Sequence, residues 1–170
     1  QDIKAMENAE LTHFRGKHIG FVFQAFNLVP TLNALENLTL PMTLAGTDPD
    51  QEWLDEVITT VGLGDRLDHR PSELSGGMRK RIGLARSIAI EPEVILYDEP
   101  TTGLDPVTAQ QINVLIRSLQ EKFGLTSIVV THDLASAYYV ADRMAFLYHG
   151  RIRRIGTAEE LRTCDDPVIR

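Results

Sequence analysis

Val94-Ile95-Leu96-Tyr97-Asp98-Glu99 decides how this chain folds. An unbroken apolar run of this length, ending in polar residues, reads as a buried strand of a parallel sheet. Downstream, Asp105-Pro106 is a helix start, with Asp as the cap and Pro at the first helical position, and the helix runs from about Pro106 to Phe123. Thr126 to Thr131 is a second strand. Upstream, Ile19-Gly20-Phe21-Val22-Phe23 is a third, ending at Gln24. Strands alternating with helices predict a parallel α/β sheet. A helical insertion separates the first strand from the hexamer, at about residues 29–90. It holds Leu32 to Leu38 at helical spacing and a helix opened by Asp48-Pro49-Asp50 that runs to about Val61. Trp53, Leu54, Val57, Ile58 and Val61 form one stripe of that helix, and Gly62 and Gly64 stop it. A polar loop from Asp65 to Glu73 leads to a longer helix, from about Gly76 to Ile90, with a basic face of Arg79, Lys80, Arg81 and Arg86. Beyond the sheet strands, Asp133 caps a short helix to Ala141. Met144 to Tyr148 and Arg151 to Ile155 form a hairpin across His149-Gly150, and Ala158 to Arg162 is the last helix.

Composition narrows the function classes. Of 170 residues, 17 are basic and 24 acidic, a net charge of −7. That balance argues against nucleic-acid binding through a basic surface. Apolar residues at 43% and charged residues at 24% are those of a globular domain, not a disordered one. The lone Cys164 excludes a disulfide framework within the chain. No apolar run approaches the roughly 20 residues of a membrane helix, and no signal-peptide pattern opens the sequence. A membrane role therefore requires a partner.

Several residues carry candidate chemistry. Asp98 and Glu99 end a hydrophobic strand, and successive strand residues point to opposite sides, so the two need not share a task. Asp98 suits a Mg²⁺ shell, and Glu99, just beyond the strand, suits polarising a water. A solvated acidic turn reads the same way. Leu74-Ser75-Gly76-Gly77-Met78 heads a long helix, where bare backbone N–H groups and the dipole make an anion site; a flexible loop with a serine cap is the plainer account. His132 directly follows a strand and can reach a ligand in the crevice at the carboxyl end of an open sheet, or simply be a structural histidine. Gln24 can complete a Mg²⁺ shell or lie exposed at a strand end. The remaining histidines, His13, His18, His69 and His149, show no metal-ligand spacing.

The order of these pieces is more specific than any one of them. Strand–Gln, helical insertion, Leu-Ser-Gly-Gly, helix, apolar strand–Asp-Glu, Leu-Asp turn and strand–His closely resemble the ATP-binding subunits of ABC transporters over essentially the whole chain. The resemblance implies a P-loop NTPase core of ABC type with an inserted helical subdomain. Residues 1–28 are then core with the Q-loop, 29–90 the helical subdomain ending in the signature helix, and 91–170 core again. It implies ATP and Mg²⁺ as cofactors, with Gln24 the Q-loop glutamine and Asp98 the Walker B aspartate, both near the metal. Glu99 becomes the catalytic glutamate and His132 the switch histidine. Leu74, Ser75, Gly76 and Gly77 become the signature motif, and Gly103-Leu104-Asp105 the D-loop.

Two departures qualify it. Met78 stands where the family usually has glutamine, a variant met in members devoted to lipid transport. The Gly-x-x-x-x-Gly-Lys-Ser/Thr phosphate loop occurs nowhere: Gly16-Lys17-His18 has Leu11 where the first glycine belongs and no Ser/Thr after Lys17. An adenine-stacking aromatic upstream is also without a counterpart. The expectation is a core entered after its phosphate loop, truncated at the N-terminus, which binds ATP very weakly by itself.

The resemblance further implies a second ATPase subunit, as a homodimer, with each ATP held between one subunit's phosphate loop and the other's signature motif. It implies a transmembrane permease docked on the helical subdomain near Ala25 to Thr31, at the cytoplasmic face of the bacterial inner membrane. Asp2 to Pro41 resembles the lipoprotein-release and macrolide-export subfamily, and Leu74 to Arg81 the phospholipid-trafficking subunits. Lipid, lipoprotein or another amphiphile is their common substrate class. A soluble ATPase of the same family acting on ribosomes or DNA, and a regulatory module that no longer hydrolyses ATP, are the competing readings.

Overall fold

The computed structural model describes residues 6–25 and 27–169. It divides into two compact units, Gln1–Val130 and Thr131–Arg170. The first unit begins with α1 (Asn8–His18) and β1 (Ile19–Val22). Then come α2 (Ala34–Ala45), α3 (Gln51–Val61), two 3₁₀ turns (Gly64–Arg66 and Pro71–Glu73) and α4 (Gly76–Ile88). β2 (Val94–Asp98), α5 (Pro106–Phe123) and β3 (Thr126–Val130) complete it. The strands form one parallel sheet in the order β1-β2-β3. Ile19 pairs with Val94 and Val94 with Thr126, so all three carboxyl ends fall at one edge. Every described element between β1 and β2 is helical, as the sequence predicts.

Local chemistry explains the boundaries. Asn33 caps α2 through a capping box with Glu36, at 2.8 Å in each direction. Asp50 caps α3, and Gly62 ends it in the left-handed region. Asp105 caps α5 by accepting from the N–H groups of Val107 and Thr108. The α3 stripe is buried at Leu54, Val57, Ile58 and Val61. Trp53 extends it, donating from Nε1 to the Ile88 carbonyl at 3.1 Å and stacking at a tilt on Phe123. Those contacts join α3 to α4 and α5.

Three expectations need correction. β2 is not buried on both faces. Ile95 and Tyr97 are covered, but the opposite face carries Phe21, Leu96 and Ile128 in register across the three strands, with Phe21 40% and Ile128 54% exposed. The two faces of the sheet are covered unequally, so alternate residues of an apolar run meet different surroundings. The basic residues of α4 do not form one solvated face. Arg79, Lys80 and Arg81 are consecutive, hence about 100° apart around the axis. Each reaches a different set of carbonyls: Arg79 those of Pro71 and Leu74, Lys80 those of Phe23 and Gln24, Arg81 that of Val61. Third, α1 precedes the first strand where no helix is predicted. It buries no residue, so it leaves no apolar periodicity to read.

The second unit holds α6 (Leu134–Val140), the antiparallel hairpin of β4 (Met144–Tyr148) and β5 (Arg151–Gly156), and α7 (Ala158–Arg162). Asp133 caps α6 as predicted. His149 and Gly150 both have positive φ, the geometry a two-residue hairpin turn requires.

Candidate functional site

The carboxyl edge of the β1-β2-β3 sheet gathers the acidic and amide candidates. Asp98 is the last residue of β2 and Gln24 lies two residues past the end of β1, on the neighbouring strand. Gln24 is exposed and Asp98 half-buried. Both present hard oxygen donors, the kind Mg²⁺ takes, one or two from protein and the rest from phosphate and water. Among the described residues no group of three or more His, Cys, Asp or Glu is placed to hold a metal alone. The donor set therefore fits a metal that arrives with a phosphate ligand.

Glu99 has an unusual backbone. Its φ is +47°, a left-handed conformation that a residue preceding proline rarely takes. The surroundings hold it there. Its N–H donates to the Val130 carbonyl at 2.9 Å, and its Oε2 accepts from the Thr102 hydroxyl at 3.1 Å. Such conformations cost on the order of 1–3 kcal/mol and concentrate at functional sites.

The Leu74–Gly77 segment is built by packing as much as by any ligand. Leu74 is buried, and Ser75 caps α4 by accepting from the Met78 N–H at 3.2 Å. A methyl on Gly77 would lie 2.7 Å from Cγ2 of Thr108, and one on Gly76 3.5 Å from Leu104. The glycines thus let α4 begin directly against the 104–108 segment, bringing Leu74–Gly77 beside Asp105. Hydrogen bonds, first that from the Thr108 hydroxyl, hold the Asp105 carboxyl below the usual carboxylate range. His132 is the second residue of the second unit and is exposed.

Two residues without a predicted role hold this edge together. Lys80 is 1% exposed, and its Nζ donates to the carbonyls of Phe23 (3.3 Å) and Gln24 (3.0 Å). Burial lowers its pKa, and the Asp98 charge opposes that shift. Asn37, fully buried on α2, donates to the carbonyls of Val29, Leu32 and Asn33, and its Oδ1 accepts from the Val29 N–H at 2.7 Å. It holds the loop after Gln24 against α2. An asparagine inside an apolar helical stretch is the one signal of such a hub. Phe26, predicted to lie in the docking loop, falls outside the described residues.

Beside that loop an open apolar groove runs between β1, α2 and α4, lined by Phe21, Phe23, Leu40, Pro41, Leu44 and Ile90. Leu44 is 79% exposed.

Residues 1–102 match the family model described as "ABC transporter". This chain belongs to the ABC transporter family. A lipoprotein-releasing system ATP-binding protein, LolD of Colwellia psychrerythraea, is 40% identical over 161 residues, 94% of this chain and 62% of its own. A methionine import ATP-binding protein, MetN of Pasteurella multocida, is 36% identical over 163 residues, 95% of this chain and 47% of its own. This ABC family chain therefore spans about half to three-fifths of those relatives. Among solved structures, the dimeric post-hydrolysis state of the ATP-binding cassette MJ0796, bound to ADP and Pi, superposes with a TM-score of 0.75 at 38% identity. That match covers 90% of this chain and 68% of the other. The α/β fold of this chain is that of ABC ATPase cassettes, and the chain is similar to ATP-binding subunits of the family.

Proposed function

We propose that the chain is part of the ATP-binding and hydrolysing subunit of an ABC transporter that drives a lipid, lipoprotein or other amphiphile through a membrane partner. The observation that carries the reading is the left-handed Glu99 held directly after Asp98, at the sheet edge that also bears Gln24. Bound Mg²⁺ supplies charge neutralisation at the phosphates. Asp98 and Gln24 would hold that ion, and Glu99 orients and deprotonates the attacking water. His132 donates a hydrogen bond to phosphate. The start of α4 at Ser75-Gly76-Gly77 offers N–H groups to the nucleotide of a second ATPase subunit, beside Asp105. The dimeric cassette among the structural relatives supports two such subunits. Nucleotide gripped by both halves favours the closed dimer, and loss of the phosphate removes the differential contacts that favour it.

The apolar groove beside Asn27, between β1, α2 and α4, is the docking place for the membrane subunit. No described helix is long and apolar enough to cross a membrane. The subunit would sit peripherally, at the cytoplasmic face of the inner membrane, through its membrane partner. The lipoprotein-release name of one relative and Met78 favour an amphiphile as cargo, while the methionine-import relative marks the competing outcome.

In the intact protein, Glu99→Gln should permit nucleotide-driven dimerisation and slow turnover about 100-fold or more, the scale of a lost general base. Unchanged turnover would remove Glu99 from that role. Leu44→Glu should weaken co-purification with the membrane subunit, and equal recovery would displace the docking site. Reconstituted vesicles offered labelled phospholipid, lipoprotein or methionine decide the cargo; stimulation of ATP turnover by methionine alone would sink the amphiphile reading.

A further inference from the structure

The buried lysine of α4 has no part in the chemistry described above, yet it contacts the main chain at Gln24 and lies within the field of Asp98. Lys80 lies five residues after Ser75, about 7.5 Å further along the helix axis. Its ammonium is out of water, where an ionised group is costly unless polar partners surround it. Two of those partners are consecutive main-chain carbonyls, of Phe23 and Gln24, at the point where the chain leaves β1. The charge of Asp98, at the end of the adjacent strand, also acts on it. The strand edge itself leaves these carbonyls without ladder partners, so a cation there has a local reason to be held. The same α4 approaches β1 so closely that Gly20 has no room for a side chain beside Ser87. Helix and strand end are thus joined twice, once by backbone contact and once by Lys80.

We propose that Lys80 is a positioning residue that ties the signature helix α4 to the Gln24 loop and to Asp98, so that a displacement at Ser75-Gly76-Gly77 is passed to Gln24. The clamp stands on the contacts above; its effect on turnover rests on the ATPase reading. A neutral apolar side chain would take the donor from these two carbonyls and remove the cation on which the Asp98 charge acts. An arginine keeps both functions at a different reach.

The intact protein and its Lys80→Met and Lys80→Arg variants are compared by hydrogen–deuterium exchange without nucleotide and by ATP turnover. In Lys80→Met the amides of Phe23, Gln24 and Ala25 should exchange about tenfold faster or more, with α5 unchanged. Its kcat should fall about tenfold or more while the KM for ATP stays within about threefold, because the residue orders the site without touching nucleotide. Lys80→Arg should recover most of both. Wild-type exchange and kcat in Lys80→Met, a change confined to KM, or an arginine variant no better than methionine would overturn the proposal. Should Lys80→Met fail to fold, Lys80→Gln, which keeps a donor and loses the charge, takes its place under the same criteria. The exchange measurement needs no hydrolysis, so a failed clamp and a failed ATPase reading give different results.

Discussion

Gly20→Ala tests whether the helical insertion is seated on the sheet as described. A methyl at residue 20 falls well inside contact distance of the Ser87 carbonyl oxygen, 3.2 Å from its carbonyl carbon and 3.3 Å from Cγ of Pro92. The obstacle at Ser87 is backbone, so no rotamer relieves it, and β1 and α4 must move apart. Forcing a group into a packed site costs about 1–3 kcal/mol, and immovable neighbours place this site toward the upper end. Alanine's smaller backbone entropy loss returns roughly 0.5–1 kcal/mol. The net loss of about 1–2 kcal/mol corresponds to a Tm lower by roughly 2–8 °C. Gly16→Ala is the internal control, because Gly16 lies in the exposed helix α1 and the added methyl would meet nothing described beyond its own stretch of helix. There alanine should raise stability by about 0.5–1 kcal/mol. Thermal melts of the two variants in the intact protein give the comparison. A Gly20→Ala protein as stable as wild type would show that α4 does not rest on β1 in this way, and the Lys80 contact would lose its companion.

Asn37→Ala should cost about 2–4 kcal/mol, because it strips partners from the buried loop backbone at Val29 and Leu32; equilibrium denaturation measures it. Asn33→Ala should cost about 1 kcal/mol through loss of the capping box, and a helix α2 of unchanged exchange would contradict this. The carboxyls of Asp105, Asp133 and Asp166 all sit below their ordinary values, each chiefly through a side-chain hydrogen bond, from Thr108, Ser136 and Arg153 respectively. Their stabilisation is fully present above the unfolded carboxylate value of about 4 and drains away as pH falls through the lower folded values. Asp133→Asn should therefore flatten the acid limb of a Tm-versus-pH curve and leave its neutral region nearly parallel to wild type; an unchanged acid limb would count against it.

Much of this arrangement is legible in the residues because local signals and tertiary demands agree. α5 begins at Pro106 and ends at Phe123, where an aspartate cap, a first-turn proline and a terminal glycine all point to the same bounds. The α3 stripe and the hairpin at His149-Gly150 are legible for the same reason. What escapes is set by distant partners. Lys80 reads as one cation among four, since only the fold brings the end of β1 to it, 56 residues away in sequence. Glu99 precedes a proline, which locally favours extended backbone, yet its φ is positive, with its N–H bonded to Val130 from a distant strand. The serine and glycines at 75–77 were legible as a helix start, yet the reason for Gly77, the methyl of Thr108, lies on another helix.

The left-handed backbone at Glu99 imposes two independent filters on what that position tolerates. One is steric and falls hardest on β-branched residues, with glycine and asparagine passing easily. The other follows from the role with water proposed for Glu99: it is chemical and passes only a carboxylate at the right reach. A saturation library read twice, once for folded abundance and once for turnover, would rank the same substitutions differently. Glycine would stand near the top of the first ranking and near the bottom of the second. Gly20 offers no such separation, because its only requirement is space. Residue 99 is therefore where selection for folding and selection for activity can be told apart within a single codon.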